Sequence, residues 1–159
     1  MKFLKTIRID PSDAHVFECA AESGEWAIAG GFGFSGMNEE DLSGKTRQAF
    51  SNGFLSLISF GHSTFCVVAN IDDAKIEILT DKLAQHFVDQ YGAPTLDEAR
   101  IAAREEISFI VEMCDEIPIN SVFTLLRFFD DDGEIREEFR IVDAPGEKLH
   151  TRVWDITEG

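Results

Sequence analysis

The sequence is poor in cysteine, in positive charge and in long apolar runs. Its three cysteines, Cys19, Cys66 and Cys114, are widely spaced and form no C-x-x-C pair. Neither a disulfide framework nor a cysteine-ligated zinc site is therefore expected. Each cysteine lies among apolar residues, which predicts reduced, buried thiols in a reducing cytosol.

Positive charge is scarce because 14 lysine and arginine residues stand against 30 aspartate and glutamate residues. The resulting net charge of −16 repels DNA, RNA and anionic lipid headgroups. The same charge attracts a partner that has a basic surface. Neither nucleic acid nor a membrane is therefore expected as a partner.

Long apolar runs are missing along the whole sequence. No stretch is long and apolar enough to span a membrane. The segment MKFLKTIRID carries charges at Lys2, Lys5 and Arg8 in place of the apolar centre of a signal peptide. Together with the cysteine pattern, this predicts a cytoplasmic protein.

The composition that remains is that of an ordinary folded domain, with 44% apolar residues and 14 phenylalanines. No repeat or linker divides the chain, so residues 1–159 are predicted to form a single α+β domain. Strands near both ends and helices between them favour an antiparallel or mixed sheet packed by helices. The predicted strands lie near residues 3–9, 15–19, 25–34, 63–69, 122–129, 135–142 and 151–156, and the predicted helices near residues 38–52, 72–91 and 95–115.

Local signals define several ends of these elements. Thr95 and Glu98 have the spacing of a capping box at a helix start. Asp10-Pro11 is typical of a type I turn. Asp132-Gly133 is a preferred pair for a two-residue type I′ hairpin turn. That turn would place Arg127 opposite Glu138 in the hairpin.

The segment GFGFSGMNEEDLSGKT (31–46) contains two partial nucleotide-binding motifs. Its glycines fit G-x-G-x-x-G, but the carboxylates of residues 39–41 occupy the predicted helix start, where a phosphate would bind. Gly44-Lys45-Thr46 ends like a P-loop, but that motif needs a glycine at position 39, which is glutamate. We therefore predict no bound nucleotide and no cofactor.

The glycines then need a structural explanation. Side chains alternate along the predicted strand 25–34, so that Gly31 and Gly33 fall on a nearly bare face. A bare face indicates that a helix or a large side chain packs close to the backbone. The alternative is that these glycines form the floor of a pocket.

Candidate catalytic and metal-binding groups are few. His62 precedes Ser63, but the glycine that a nucleophile elbow needs two residues later is Phe65. The four histidines lie on separate predicted elements without metal-ligand spacing. No catalytic residue and no metal is predicted, although His62 stays a candidate binding residue or base.

One group of residues stands out from the acidic background. Arg127, Arg136 and Arg140 would share a face of the C-terminal hairpin, with Phe123 and Phe129 beside them. Such a face could hold an anionic ligand or an acidic partner. The alternative, which we favour, is a ladder of cross-strand ion pairs with neighbouring carboxylates.

Four segments carry a family resemblance: FLKTIRIDPSD, GEWAIAGGF, FSNGFLSLISFGHST and DGEIREEFR. They resemble those of a small bacterial family of uncharacterised proteins, and the resemblance covers most of the chain. It implies a cytoplasmic bacterial protein. It carries over no functional residue, because the family has no assigned reaction or ligand.

Function is therefore predicted mainly by exclusion. The leading hypothesis is a non-catalytic accessory or protein-interaction domain that binds another protein or itself. The alternative is a small organic-anion-binding protein, or an enzyme, that uses the arginine and phenylalanine face of the hairpin, with His62 as the candidate base. Nucleotide binding ranks last.

Overall fold

The computed structural model describes residues 1–9, 12–142 and 151–157, the last of these segments by its backbone alone. The strands are β1 (Lys2–Ile7), β2 (Trp26–Ile28), β3 (Phe54–Ser56), β4 (His62–Ser63), β5 (Phe65–Asn70), β6 (Val122–Phe129), β7 (Ile135–Val142) and β8 (Thr151–Thr157). The α-helices are α1 (Asp13–Val16), α2 (Gly44–Asn52), α3 (Asp73–Tyr91) and α4 (Leu96–Cys114). Two 3-10 helices cover Gly31–Phe34 and Glu39–Asp41.

The strands form a single sheet in the order β4-β3-β2-β1-β5-β6-β7-β8. Every pair of neighbours in it is antiparallel. The predicted α+β class with an antiparallel sheet is therefore confirmed. The strand β1 lies in the interior of the sheet, between β2 and β5.

The two long helices, α3 and α4, were predicted to within one residue at each end. The prediction succeeded because both helices are defined by residues close to one another in sequence. Apolar residues recur along both at helical intervals, which buries one side of each helix. Thr95 Oγ1 accepts a 3.1 Å hydrogen bond from the backbone N–H of Glu98, as the capping spacing predicted. Arg100 Nε of α4 lies 2.9 Å from Asp81 Oδ1 of α3, and this ion pair joins the two helices. The ring centre of Phe109 in α4 lies 5.8 Å from that of Phe139 in β7.

The strand predicted at residues 15–19 is wrong, because residues Asp13–Val16 form the short helix α1. Asp13 is buried there, and its Oδ1 accepts a 2.6 Å hydrogen bond from Thr64 Oγ1. This partner is 51 positions away in the chain, so no local pattern reports it. The turn predicted at Asp10-Pro11 lies outside the described residues.

The buried state predicted for the thiols is confirmed for two of the three. Cys66 and Cys114 are buried, whereas Cys19 is exposed and its prediction is wrong. Burial raises the pKa of Cys114 to about 12 and the pKa of Cys66 well above its ordinary value. Both buried thiols therefore stay protonated at neutral pH and act as small apolar core groups.

The strand predicted at residues 25–34 is wrong beyond Ile28, where β2 ends. Gly30 has φ = +83° and turns the chain into the 3-10 helix Gly31–Phe34. The close packing predicted for the glycines is nevertheless confirmed. A Cβ built on Gly31 would lie 3.1 Å from Glu137 Oε1, and one built on Gly33 would lie 3.3 Å from the Tyr91 hydroxyl.

Replacement of Gly30 by alanine should be more destabilising than the same change at Gly24. Both residues have a positive φ, which costs a non-glycine residue about 1–2 kcal/mol. At Gly30 the new Cβ would also lie 2.5 Å from the Leu55 Cβ, whereas at Gly24 it would meet nothing within 4 Å. We expect Gly30→Ala to lower the free energy of unfolding by at least about 1 kcal/mol more than Gly24→Ala in urea titrations. Equal losses of unfolding free energy in the two variants would show that the residues around Leu55 move enough to accommodate the added Cβ.

The helix predicted at residues 38–52 is divided in two. Asn38 does cap a helix, because its side chain accepts a 3.0 Å hydrogen bond from the N–H of Glu40, but that helix is the 3-10 segment Glu39–Asp41. The α-helix starts only at Gly44. The short strands β3 and β4 were not predicted, since strands of three and two residues carry too little periodicity.

The hairpin of β6 and β7 has the predicted strand ends but a different register. Its loop has three residues rather than two, because Asp130 N–H donates to Glu134 O and Gly133 N–H donates to Asp130 O. This is a type I turn followed by a glycine with positive φ, the usual three-residue hairpin connection. The extra residue shifts the pairing by one position, so Arg127 lies opposite Glu137 and not opposite Glu138.

Candidate functional site

The predicted common face of the three hairpin arginines is wrong. Arg127 points to the buried side of the hairpin, whereas Arg136 and Arg140 lie opposite Phe128 and Thr124 on the other side. The one-residue shift in register is the cause, because successive strand residues point to opposite faces. A single binding surface cannot therefore use all three guanidinium groups.

Arg127 is 1% exposed and has partners on all sides. Its Nη2 donates to Glu137 Oε2 at 3.0 Å and to the backbone O of Ala29 at 2.8 Å. Its Nη1 donates to the backbone O of Phe50 at 2.8 Å, and the guanidinium lies 5.3 Å from the ring centre of Phe34. Arg127 thus connects β6, β7, α2 and the end of β2 inside the core.

The other predicted hairpin residues are also engaged within the chain. Arg136 Nε lies 2.6 Å from Asp130 Oδ2, and Arg140 Nη2 lies 3.2 Å from a carboxylate oxygen of Glu138. Phe123 is fully buried, and Phe129 stacks on Phe50 of α2 at 4.7 Å between ring centres. Of the three hairpin ion pairs, Arg127–Glu137 joins two strands, whereas Arg140 pairs with Glu138 of its own strand and Arg136 pairs with Asp130 next to the loop. The favoured ladder of cross-strand pairs is thus reduced to one pair, and a ligand-binding role for these arginines stays a prediction.

His62 lies at the start of β4 among aromatic rings. Its ring centre is 5.8 Å from that of Phe17 and 6.5 Å from that of Phe34. Burial, and in second place the positive charge of Arg127, lower the pKa of His62 to about 4. The imidazole is therefore neutral at pH 7. Its role as a base or binding residue stays a prediction.

A pocket of about 360 Å³ opens on the surface where α3 ends and α4 begins. Phe32 of the glycine-rich 3-10 helix lines this pocket, whereas Gly31 and Gly33, for which a pocket floor was the alternative, are not among its lining residues. The walls come from both long helices and the turn between them. The lining residues are Phe32, Phe87, Tyr91, Ala93, Pro94, Glu98, Ala99, Ala102 and Glu106.

Three aromatic rings of this lining stand nearly perpendicular to one another. Phe32 makes an interplanar angle of 84° with Phe87 and of 85° with Tyr91, and Phe87 makes one of 85° with Tyr91. The ring centres are 4.8, 5.3 and 6.1 Å apart in the same order. We call this group the aromatic corner. Edge-to-face contacts of this kind fix each ring in place.

The polar groups of the pocket are acidic or neutral. Glu98 and Glu106 supply carboxylates from α4, and Tyr91 supplies a hydroxyl. Burial raises the pKa of Tyr91, so this hydroxyl is neutral at physiological pH. Among the lining residues in the described part of the chain there is no lysine, arginine or histidine. The charged residues of the lining, Glu98 and Glu106, are thus both acidic.

Sequence reasoning did not bring these residues together. Phe87 and Tyr91 look like one end of the apolar stripe of a helix, and Glu98 looks like part of a helix cap. Phe32 was placed on a strand that does not exist beyond Ile28. One signal was present: the small residues Ala99 and Ala102 leave room beside bulky aromatic residues at the adjoining end of α3.

In the part of the chain that the structure describes, no group of three or more His, Cys, Asp or Glu side chains could hold a metal ion. Within the same residues, no helix is both long and apolar enough to cross a membrane.

Comparison with known proteins adds a family but no activity. One family model matches residues 1–154, and its description is "Family of unknown function (DUF6505)". No curated protein and no solved structure matches the chain. Neither relatives nor structural neighbours thus give a specific function.

Proposed function

This chain belongs to DUF6505, a family of unknown function, and from its geometry we propose a non-catalytic protein-interaction domain that works in the cytoplasm. Its docking site is the pocket between α3 and α4. Its partner is a protein with a basic surface, one side chain of which enters the pocket. The aromatic corner at the surface is the observation that carries this proposal.

The shape and lining of the pocket support docking. A volume of about 360 Å³ is enough to bury one large side chain. Tyr91 is 48% exposed and Leu96, at the start of α4, is 39% exposed, so apolar surface continues outward from the pocket. Aromatic residues in a preformed depression are the usual anchors of protein interfaces.

The charge of the chain supports a basic partner. The net charge of −16 raises the rate at which a basic protein reaches this surface. The pocket keeps the same sign locally through Glu98 and Glu106. An acidic partner would be repelled both by the net charge of the whole protein and by the two glutamates of the pocket.

The hairpin alternative is less well supported. Arg136 and Arg140 already pair with Asp130 and Glu138. An anion bound at either guanidinium would therefore lie close to a carboxylate, whose repulsion offsets part of the attraction.

Filling the pocket should block partner binding. Ala102 is exposed on α4 and lines the pocket, so a tryptophan there occupies the space without disturbing the core. The partner is first captured by a photoreactive amino acid at Gln90, next to Tyr91, and identified by mass spectrometry. We expect Ala102→Trp to raise the Kd of the purified partner at least about tenfold in calorimetry.

Ala74→Trp is the matched control. Ala74 is also an exposed helix residue, and 17 positions of α3 separate it from Tyr91, which corresponds to about 25 Å. We expect this variant to bind like the unmodified protein, and both variants to keep its melting temperature. Equal Kd values for the two tryptophan variants would rule out the pocket as the docking site.

A further inference from the structure

We propose that the aromatic corner is a cation site, and that the group entering the pocket is an alkylammonium head on an apolar stem, such as the side chain of lysine or methylated lysine. This inference rests on the proposed function, because it specifies what the partner inserts. It assigns a chemical class to the side chain that the partner inserts.

Aromatic walls are the first reason. A cation within about 6 Å of a ring centre is attracted by the negative face of the ring, and quaternary ammonium groups are bound in cages of such rings. Phe32, Phe87 and Tyr91 all line the pocket, and their ring centres lie within 6.1 Å of one another. A cation that enters the pocket therefore has three aromatic rings as neighbours.

The acidic lining is the second reason. Glu98 and Glu106 belong to one face of α4 and both reach the pocket. Carboxylates lower the free energy of a bound cation and raise that of an anion, and the effect is larger beside apolar walls than in open water. The two features together select for an ammonium group over a neutral group of equal size.

The same protein already uses contacts of this kind. Lys5 Nζ lies 4.7 Å from the ring centre of Trp26, and Lys82 Nζ lies 5.8 Å from that of Phe60. Phe60 stacks on His86, which in turn lies 5.5 Å from Tyr91. The corner thus continues a chain of aromatic rings whose other end already holds an ammonium group.

Tyr91 is the single tyrosine of the sequence, which gives the experiment a selective reporter. The full chain is labelled with 13C-tyrosine and titrated, with NMR detection, with Nα-acetyl-Nε-trimethyllysine methylamide. Its neutral analogue, in which a carbon replaces the ammonium nitrogen, is the matched probe. Choline, a free organic cation, is titrated separately. Comparison of its affinity with that of the lysine probe shows whether the site prefers an ammonium group of a small molecule or one on a protein side chain.

We expect the trimethyllysine probe to shift the Tyr91 signal and to bind at least about tenfold more tightly than the neutral analogue. Tyr91→Leu keeps an apolar wall but removes the ring, and should weaken the cation about tenfold while leaving the neutral analogue unchanged; this variant is followed by calorimetry. Glu98→Gln should weaken the cation several-fold, and added salt should act in the same direction. Tighter binding of choline than of the lysine probe would assign the site to a free organic cation.

The outcomes separate this inference from the proposed function. Equal affinity for the charged and neutral probes would overturn the cation site, and the docking site would stand as an apolar one. If no probe bound but Ala102→Trp still blocked the partner, the cation site would again be overturned and the docking site would stand. Absence of binding together with an unaffected partner would overturn both.

Discussion

Replacement of Arg127 by methionine should lower the free energy of unfolding by about 3–5 kcal/mol. The substitution leaves the Glu137 carboxylate buried without its cation, since that residue is 4% exposed. It also removes the donors that serve the backbone carbonyls of Ala29 and Phe50. Unsatisfied buried acceptors add to the loss. Urea titration followed by tryptophan fluorescence measures the effect.

Arg140→Met is the matched control for this prediction. Arg140 is on the same hairpin and also has one carboxylate partner, but 45% of its side chain is exposed. An exposed ion pair contributes little, so the change should stay within about 1 kcal/mol. If Arg127→Met were no more destabilising than Arg140→Met, the buried network would not hold the sheet to α2.

A double variant tests where the loss originates. Arg127→Met with Glu137→Leu removes both charges and should recover part of the stability lost in the single variant, because apolar residues of similar size often replace a buried pair without loss. The recovered part measures the cost of the isolated carboxylate. The remainder measures the backbone carbonyls that both variants leave without a donor.

The second large effect is the dependence of stability on pH through His62. The pKa of its imidazole is about 4 in the folded protein and about 6.5 in an unfolded chain. Between these values the unfolded chain binds a proton that the folded protein excludes, so the free energy of unfolding falls as the pH is lowered from 6.5 to 4. The full contribution, present above pH 6.5, is about 3 kcal/mol.

His62→Gln should remove this part of the pH dependence. Unfolding free energies are measured from pH 7 to pH 4 for both proteins, so that the titration of carboxylates is common to the two curves. The unmodified protein should lose about 3 kcal/mol more over this range than the variant. His15→Gln, at an exposed position of α1, is the control and should follow the unmodified protein. Parallel curves for all three proteins would show that His62 accepts a proton while folded.

Elements with a strong local signal were predictable. The helices α3 and α4 carry long apolar stripes, and Thr95 marks the start of α4. The strands β6 and β7 were predicted with their observed ends because turn residues separate two long β-rich runs. In each case the decisive interactions are between residues close in sequence.

Features set by distant contacts were not predictable. Asp13 is held in a helical turn by Thr64, and the burial of Arg127 depends on carbonyls from two other segments.

The register of the β6–β7 hairpin depends on whether its loop has two residues or three. The pair Asp132-Gly133 occurs in both kinds of loop and does not distinguish them. The predicted register was wrong by one position, which exchanged the two faces of β7 relative to those of β6 and created a common arginine surface in the prediction.

The candidate site was hidden for a related reason. A pocket is a property of surfaces that meet, and its residues come from three segments of the chain. Each of them has a sufficient local explanation as a core residue, a turn residue or a helix cap. The sequence therefore predicted an interaction domain by excluding other classes, but it gave no sign of the pocket between α3 and α4.

The interior position of β1 has a consequence for synthesis on the ribosome. Lys2 pairs with Asn70 and Ile7 with Phe65, so this strand has to wait for some sixty further residues before it gains that neighbour. Pairing across such a span is slow, and the early chain exposes Phe3 and Leu4 meanwhile. A nascent-chain arrest series should show force generation only after Asn70 has left the exit tunnel, with chaperones bound to the strand before that point.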